Sequence, residues 1–428
     1  MSEWQETEFG LIPDTWAIKT VGQLVEENIL EKPLDGNHGE IHPKGTDFVS
    51  SGIPFVMATD VINGKVDLVN CKFISIEQAN SLSKGFSITG DVLLTHKASL
   101  GRTAIVGQLK TPYIMLTPQV TYYRVKNFDK LNNKFLKHFF NSPVFQDTLV
   151  NHGDSGSTRA YIGITAQRDL PVILPKIEEQ KAIASVLSSL EDKIDLLHRQ
   201  NTTLERMAET LFRQLFVEEA QEDWEEVTLE DVATVQNGYA FSSGDYVEYQ
   251  EGFLEVFKMG HIQPGGGLRF NPKADFVPRA EKLKRWTLNK NDIVMAMTDM
   301  KDNMGILGHP ALIDVSNKYA LNQRVARIYL EPTGKLKSIY LLYLQLNTEE
   351  AISLLQSKAN SGVQVNLTTE AIKSIPVSLP PESVQDKVLS NIEPIFDKLS
   401  SNRLAVKTLE KLRDNLLPKL MSAEVRVI

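Results

Sequence analysis

The side chains best suited to chemistry in this sequence are hydrogen-bond donors and acceptors gathered in loops, rather than nucleophiles, metal ligands or paired acids. One group is Lys97, Ser99 and Arg102, followed by Gln119 and then by Ser157, Thr158, Arg159 and Tyr161. A second group in the same order is Thr298, Lys301 and Asn303, then Gln323 and Arg324, then Gln364 and Asn366. Arg offers a planar fork of donors, Asn and Gln carry a donor and an acceptor side by side, and Lys is a point charge suited to an anionic oxygen. The competing reading of each is a residue that faces water or caps a turn. For Gln119 and Gln323, each just ahead of strand residues, a bond to backbone competes as well.

Catalytic patterns are missing around these groups. An amino-methyltransferase needs an Asp/Asn-Pro-Pro-aromatic turn to grip its base, and the only Pro-Pro here, Pro380-Pro381, is followed by Glu382. Gly265-Gly266-Gly267 lacks the strand-to-helix setting of a phosphate loop and reads as a flexible loop. No Pro-Asp…Glu-x-Lys nuclease pattern stands out, and the eight histidines are scattered without metal-ligand spacing. The single cysteine, Cys71, excludes an internal disulfide, fits a reducing cytoplasm and reads as a small buried hydrophobe. No catalytic residue, bound cofactor or bound metal is expected in this chain.

The two polar groups sit in two similar segments, residues up to about 173 and from about 220 to 378. Trp16–Leu24 resembles Trp224–Val232, each reading as a short strand and a helix start. Gly- and Asn-rich loops follow, Asp35–Gly45 and Gln236–Asp245, and then strand-like runs, Gly52–Met57 and Gly252–Met259. Gly90-Asp91-Val92-Leu93-Leu94-Thr95 parallels Asn291-Asp292-Ile293-Val294-Met295-Ala296, and each leads into a polar loop. A further strand, Thr117–Val125 against Leu321–Tyr329, precedes a short helix at Asn133–Asn141 and Leu336–Leu346. Each segment ends on a polar loop, Gly153–Tyr161 and Asn360–Asn366.

A long amphipathic stretch closes each segment. The first opens Leu174-Pro175 and carries apolar residues at Ile183, Leu187, Leu190, Ile194, Leu197, Leu204, Leu211 and Leu215. With Asn201 and Ala208 in the gaps, the steps alternate four and three, the seam of a coiled coil. Pro175 forbids helix before it, and Glu178-Glu179 suits a helix N-terminus. The second opens Leu379-Pro380 and continues through Val388, Ile392, Ile395, Leu399, Val406, Leu409, Leu416 and Leu420, interrupted by Asn402 and Arg413. One offset of 205 places Pro175 on Pro380, Gln180 on Gln385 and Leu215 on Leu420. Each helix would run roughly 60 Å for about 40 residues. Neither can bury its stripe alone, so an antiparallel pair is expected.

With 428 residues, 42% of them hydrophobic, the chain reads as a soluble protein of two or more domains. No apolar run approaches the roughly 18 residues of a membrane span, so no membrane partner is expected. Met1-Ser2-Glu3-Trp4 lacks the basic start and apolar stretch of a secretory signal. The net charge of −8 argues against binding a polyanion by bulk charge while leaving room for local basic clefts. Two similar domains on an antiparallel spacer suit a ligand with two separated sites, and duplex DNA with half-sites a turn apart (roughly 34 Å) is one such ligand.

In this order of elements the chain resembles, over its whole length, the specificity subunit of type I restriction–modification enzymes. The resemblance rests on the two helix openings, Leu174 to Gln180 and Leu379 to Gln385, on the Gly90-Asp91 turn and strand, and on the Gly156-Ser157-Thr158 loop. The fold expected is α+β: two similar mixed α/β target-recognition domains separated by a long antiparallel two-helix coiled coil, with an internal pseudo-two-fold repeat. Residues 1–173 would be the N-terminal recognition domain, 174–219 the first conserved helix, 220–378 the second recognition domain and 379–428 the second conserved helix. The resemblance implies a non-catalytic subunit that reads a bipartite site in double-stranded DNA, one half per domain. Its helices would hold two modification subunits, which transfer a methyl group from S-adenosylmethionine to adenine, and restriction (endonuclease/translocase) subunits can join them.

On that reading the loop residues above meet base edges and phosphates, Arg pairing with guanine, Gln and Asn with adenine. Arg159 and Tyr161 stand where the second domain has Gln364 and Asn366, so the two half-sites should differ. The helical pair would act as a ruler, and an added heptad should lengthen the spacer between half-sites. The alternative is a coiled-coil adaptor that joins two protein-binding domains and never meets DNA. A standalone methyltransferase or nuclease is disfavoured by the missing motifs.

Overall fold

The computed structural model describes residues 4–97, 99–152, 161–219, 224–269, 272–301, 304–330, 334–360, 362 and 364–427. The chain forms two compact units, one of Met1–Leu196 with Lys407–Ile428, the other of Leu197–Val406.

In the first unit the strand Val92–Thr95 lies between Thr103–Ile105 and Val120–Tyr123 in an antiparallel sheet of four, completed by Leu34–Asp35. A sheet of five packs on it. There Ile114–Leu116 runs parallel to Ile53–Val56, whose other neighbour is Lys72–Ile74. All four residues of Val92–Thr95 are buried, as an uninterrupted apolar run covered on both faces requires. Val56, Leu93, Leu116 and Tyr122 fill the space between the sheets. On the other side Val92, Leu94 and Tyr123 meet Phe135, Phe139, Phe140 and Phe145.

The second unit repeats this plan. Ile293–Ala296 lies between Pro310–Leu312 and Val325–Leu330, with Ala233–Asn237 at the edge, and Tyr319–Leu321 runs parallel to Leu254–Phe257. Each unit also pairs an early strand with the strand ahead of its long helix: Ala17–Thr20 with Pro171–Leu174, and Glu225–Thr228 with Pro376–Leu379. The pairings correct one detail of the repeat. Leu116, not Thr117, corresponds to Leu321, because each ends the strand parallel to Val56 or Phe257. The offset of 205 therefore holds at that strand as it does at the opening of the long helix.

Backbone approach explains one shared glycine. A Cβ on Gly36 would lie 1.9 Å from the Leu116 carbonyl oxygen, and one on Gly238 would lie 2.2 Å from the Asn322 carbonyl. Only glycine lets the edge segment cross there.

The long helices are Ile177–Phe212, continued by π-type turns over Arg213–Glu218, and Glu382–Met421. Pro394 and Pro418 remove N–H donors from the second without ending it. The helices run antiparallel in each unit. In the first, Ile183 and Leu187 share a core with Leu420 and Met421. In the second, Ala208, Phe212 and Phe216 share one with Val388, Ile392, Ile395 and Leu399. There Asn201 and Asn402, one polar residue from each seam, bond each other at 3.0 Å and are both buried.

Ile194, Leu197 and Val406 are buried as the seam requires. Leu190, Leu204, Leu211, Leu215, Leu409 and Leu416 are only half-buried. Phe212, Phe216, Leu389 and Phe396, outside the expected seam, are buried instead. A two-residue stripe serves a helix with one partner, whereas these helices also close the core of a globular domain, which takes a wider face.

The Leu-Pro opening owes its glutamine to a buried clamp. Gln180 Oε1 accepts from the Asn132 N–H (2.9 Å), and its Nε2 donates to the carbonyls of Lys130 (3.0 Å) and Pro175 (2.9 Å). Gln385 makes the matching bonds to Lys337 (2.9 Å), Lys335 (3.1 Å) and Pro380 (3.0 Å). One amide thus ties the start of the long helix to the chain entering the short one, Asn133–Phe140 or Ile339–Leu346.

Candidate nucleic-acid interface

The strands that carry the polar loops are held at their starts by an Asp turn. Gly90 and Asn291 take positive φ (93° and 69°), and the next residue is Asp91 or Asp292. The Asp91 carboxylate accepts from the Ile88 N–H and faces Arg124 at 2.8 Å through two nitrogens. Asp292 accepts from the Asn289 N–H and faces Arg327 at 2.8 and 3.1 Å. Burial pushes the Asp292 carboxyl above its ordinary value, against the bonds from Asn289 and Arg327. Between copies the arginine changes places with a tyrosine two residues away on the same face. Arg124 lies 4.7 Å over Tyr122, and Arg327 lies 4.7 Å over Tyr329. The pair is kept although its residue moves.

At the other end of these strands the structure brings together loops far apart in sequence. In the first unit His96 donates its N–H to the Gln119 carbonyl (3.0 Å) and bridges Ile162 in both directions, so that Lys97 pairs with Tyr161. The Lys97 ammonium stands 5.7 Å over the Tyr161 ring. Thr95 closes the loop that follows: its hydroxyl donates to the Ser99 carbonyl and accepts the Arg102 N–H (2.9 Å). The Lys97, Arg102 and Tyr161 side chains are exposed, while Ser99 and Gln119 are half-buried. Burial depresses the His96 imidazole below its ordinary value, against the pull of Asp35.

The second unit makes the same junction more regularly. Thr298–Met300 pairs antiparallel with Gln364–Asn366, and the Met297 N–H bonds the Arg324 carbonyl at 3.0 Å, which makes Arg324 rather than Gln323 the counterpart of Gln119. Thr298 is buried and its hydroxyl donates to Asn366 Oδ1 (2.9 Å), so both serve the junction. Lys301, Gln323, Arg324 and Gln364 are exposed beside it. Among the described residues Lys97, Arg102, Lys301 and Arg324 form no ion pair. Ser157, Thr158, Arg159 and Asn303 lie outside the described residues.

Beside Lys97 and Gln119 lies a cleft of about 330 Å³ whose other walls include His38, His42, Phe48, Phe55, Met57 and Thr117. The sequence placed His38 and His42 in a loop without marking them, since nothing in a Gly- and Asn-rich stretch shows which strand end it will face. Gly265-Gly266-Gly267 is a hydrogen-bonded turn rather than a free loop. Its N–H groups donate to the carbonyls of Gly305 (3.2 Å), Gln263 (3.1 Å) and Pro310 (2.8 Å), which leaves none for a phosphate. Among the described residues there is no cluster of three or more metal-ligating side chains, and no helix is long and apolar enough to cross a membrane.

A duplicated domain that presents uncommitted donors at one strand end, with each copy closed by a long helix, is the architecture of a recognition subunit. The chain belongs to the type I restriction–modification DNA specificity family, whose domain pattern matches residues 13–206 and again 221–409. It is a DNA target-recognition subunit, of a family without catalytic activity of its own. It is similar to the specificity subunits of the type I restriction enzymes MjaIX and MjaVIII of Methanocaldococcus jannaschii. Both are 23% identical, over 100% and 97% of this chain and 97% and 94% of theirs. A crystal structure of the type I restriction–modification S subunit from M. genitalium shares the fold. Its TM-score is 0.53 at 15% identity, covering 95% of this chain and 96% of that one.

Proposed function

We propose that the chain reads a bipartite target in double-stranded DNA, one half-site per recognition domain, within a cytoplasmic complex. Two modification subunits held on the long helices would methylate adenine with S-adenosylmethionine, which this chain does not bind, and restriction subunits would join them. The observation that carries the reading is the repeated junction. In both copies the loop after the buried strand pairs with the loop ahead of the long helix, which gathers exposed Lys, Arg, Gln and Tyr side chains at one strand end. Arg324, Gln323 and Gln364 have the donors and acceptors for base edges, and Lys97, Arg102 and Lys301 have the charge for phosphates. Each bidentate base contact is worth about 1–3 kcal/mol of discrimination.

The unlike side chains in the two copies support two unlike half-sites. Mapping adenine methylation in host DNA, with the gene intact and deleted, tests the reading. The expected result is a two-part motif methylated in both halves and lost on deletion. Unchanged methylation beside a working modification subunit would refute it.

A further inference from the structure

The second unit carries an exposed basic and aromatic surface outside the reading loops. Residues Glu281–Trp286 wind as 3-10 turns around the buried Leu283, leaving Lys282, Lys284 and Arg285 exposed. From Arg279 to Arg285 the sequence has four cations against one acid, in a chain of net charge −8. The segment is pinned from both sides. Gln236 donates its side-chain amide to the Arg285 carbonyl (3.1 Å), and the Trp286 indole donates to the Asn237 carbonyl (3.1 Å).

Aromatic rings back the cations. Tyr239 and Trp286 meet edge to face at 5.0 Å, with the Lys282 ammonium 5.6 Å over Tyr239 and the Arg285 guanidinium 5.7 Å over Trp286. Rings beneath cations hold the charge outward at little desolvation cost. Arg285 forms no ion pair among the described residues. Lys284 reaches Glu281 at 3.3 Å with both side chains exposed, a pair that contributes little. The Asp245 carboxyl, held below its ordinary value by bonds from Ser242, also feels the Lys282 charge.

This surface is continuous with a reading loop, since the Tyr239 carbonyl accepts the Gln323 N–H at 3.0 Å. Among the described residues the first unit has no counterpart. After Gly36, where the second unit has Tyr239 after Gly238, stands Asn37. Its side chain donates to the Lys84 carbonyl (2.6 Å), and the Lys84 ammonium is paired with Asp35.

We propose that Lys282, Lys284 and Arg285, presented by Tyr239 and Trp286, bind the sugar–phosphate backbone of duplex DNA beside the half-site read by Gln323 and Arg324. The proposal rests on the DNA-reading role above and adds to it a sequence-independent grip in the second domain. Backbone contacts position without specifying, so the surface sets affinity and register while the loop sets the sequence.

The test compares the assembled complex with one carrying Lys282→Gln, Lys284→Gln and Arg285→Gln together. Each binds a duplex containing the methylated motif and a scrambled duplex over a range of salt. The expected result is an equal loss of affinity for both duplexes, with the log–log salt slope shallower by about 0.9 for each contact removed. The charge-preserving set Lys282→Arg, Lys284→Arg and Arg285→Lys should keep the parental slope. A parental slope in the Gln variant overturns the proposal while leaving the reading role intact. A parent complex that prefers neither duplex overturns both.

Discussion

Replacing Gln180 with Met should destabilise the first unit out of proportion to the change in size. Met keeps the length and burial of Gln, so the packing change is small. What is lost is the clamp: the Asn132 N–H loses its acceptor, and the carbonyls of Lys130 and Pro175 each lose a donor. An orphaned buried group costs about 1–3 kcal/mol, and a carbonyl with a second lone pair less, so about 3 kcal/mol is expected in total. For a domain of about 150–250 residues that corresponds to a midpoint lower by about 6–12 °C. Thermal unfolding of the full chain, followed by circular dichroism, reads the shift. Gln385→Met should act similarly, because its three bonds match within 0.1 Å. Midpoints within about 1 °C of the parent in both variants would refute the clamp as a source of stability.

Other perturbations bear on separate parts of the fold. Gly36→Ala or Gly238→Ala forces a Cβ into a carbonyl and should cost at least the upper end of about 1–3 kcal/mol, seen as lost soluble yield and a lower midpoint. Asn201→Leu or Asn402→Leu alone leaves a buried amide without its partner and should cost about 1–3 kcal/mol. The double Leu variant should recover most of that loss, so a double-mutant cycle that proves additive would contradict the pairing. Burial depresses His138 well below the ordinary 6.5, with Lys137, Lys134 and Arg413 adding to it, and also depresses His96. The unfolded chain therefore binds more protons below that value, and the stability present above 6.5 is lost as pH falls toward the folded values. His138→Asn should flatten the dependence of the midpoint on pH in that window, and an unchanged slope would contradict it.

The long helices were legible because a 4-3 seam over so many turns has few other meanings, and their shared glutamine could be located though not explained. The Asp turn was legible from Gly90 and Asn291, residues that tolerate positive φ. The helices Pro143–Asn151 and Glu349–Ser357 were passed over although each has a cap, Ser142 before Pro143 and Thr348 before two acids, because a nine-residue helix shows little periodicity. The exchange of Arg124 with Tyr122 for Tyr329 with Arg327 hides a retained ion pair from any position-by-position comparison. The site was legible only in parts. Lys97 and Tyr161 were each marked, but their pairing is a tertiary fact, and so is the burial of Thr298. Polarity in a loop signals exposure only until another strand covers it.

The central claim is that each domain reads its own half-site. The most direct measurement is genome-wide adenine methylation with a chain carrying Gln323→Ala, Arg324→Ala and Gln364→Ala in the otherwise intact system. The account predicts that bases in one half of the motif become degenerate while the other half and the spacing are unchanged. A motif unaltered in both halves, or degraded in both together, would contradict it.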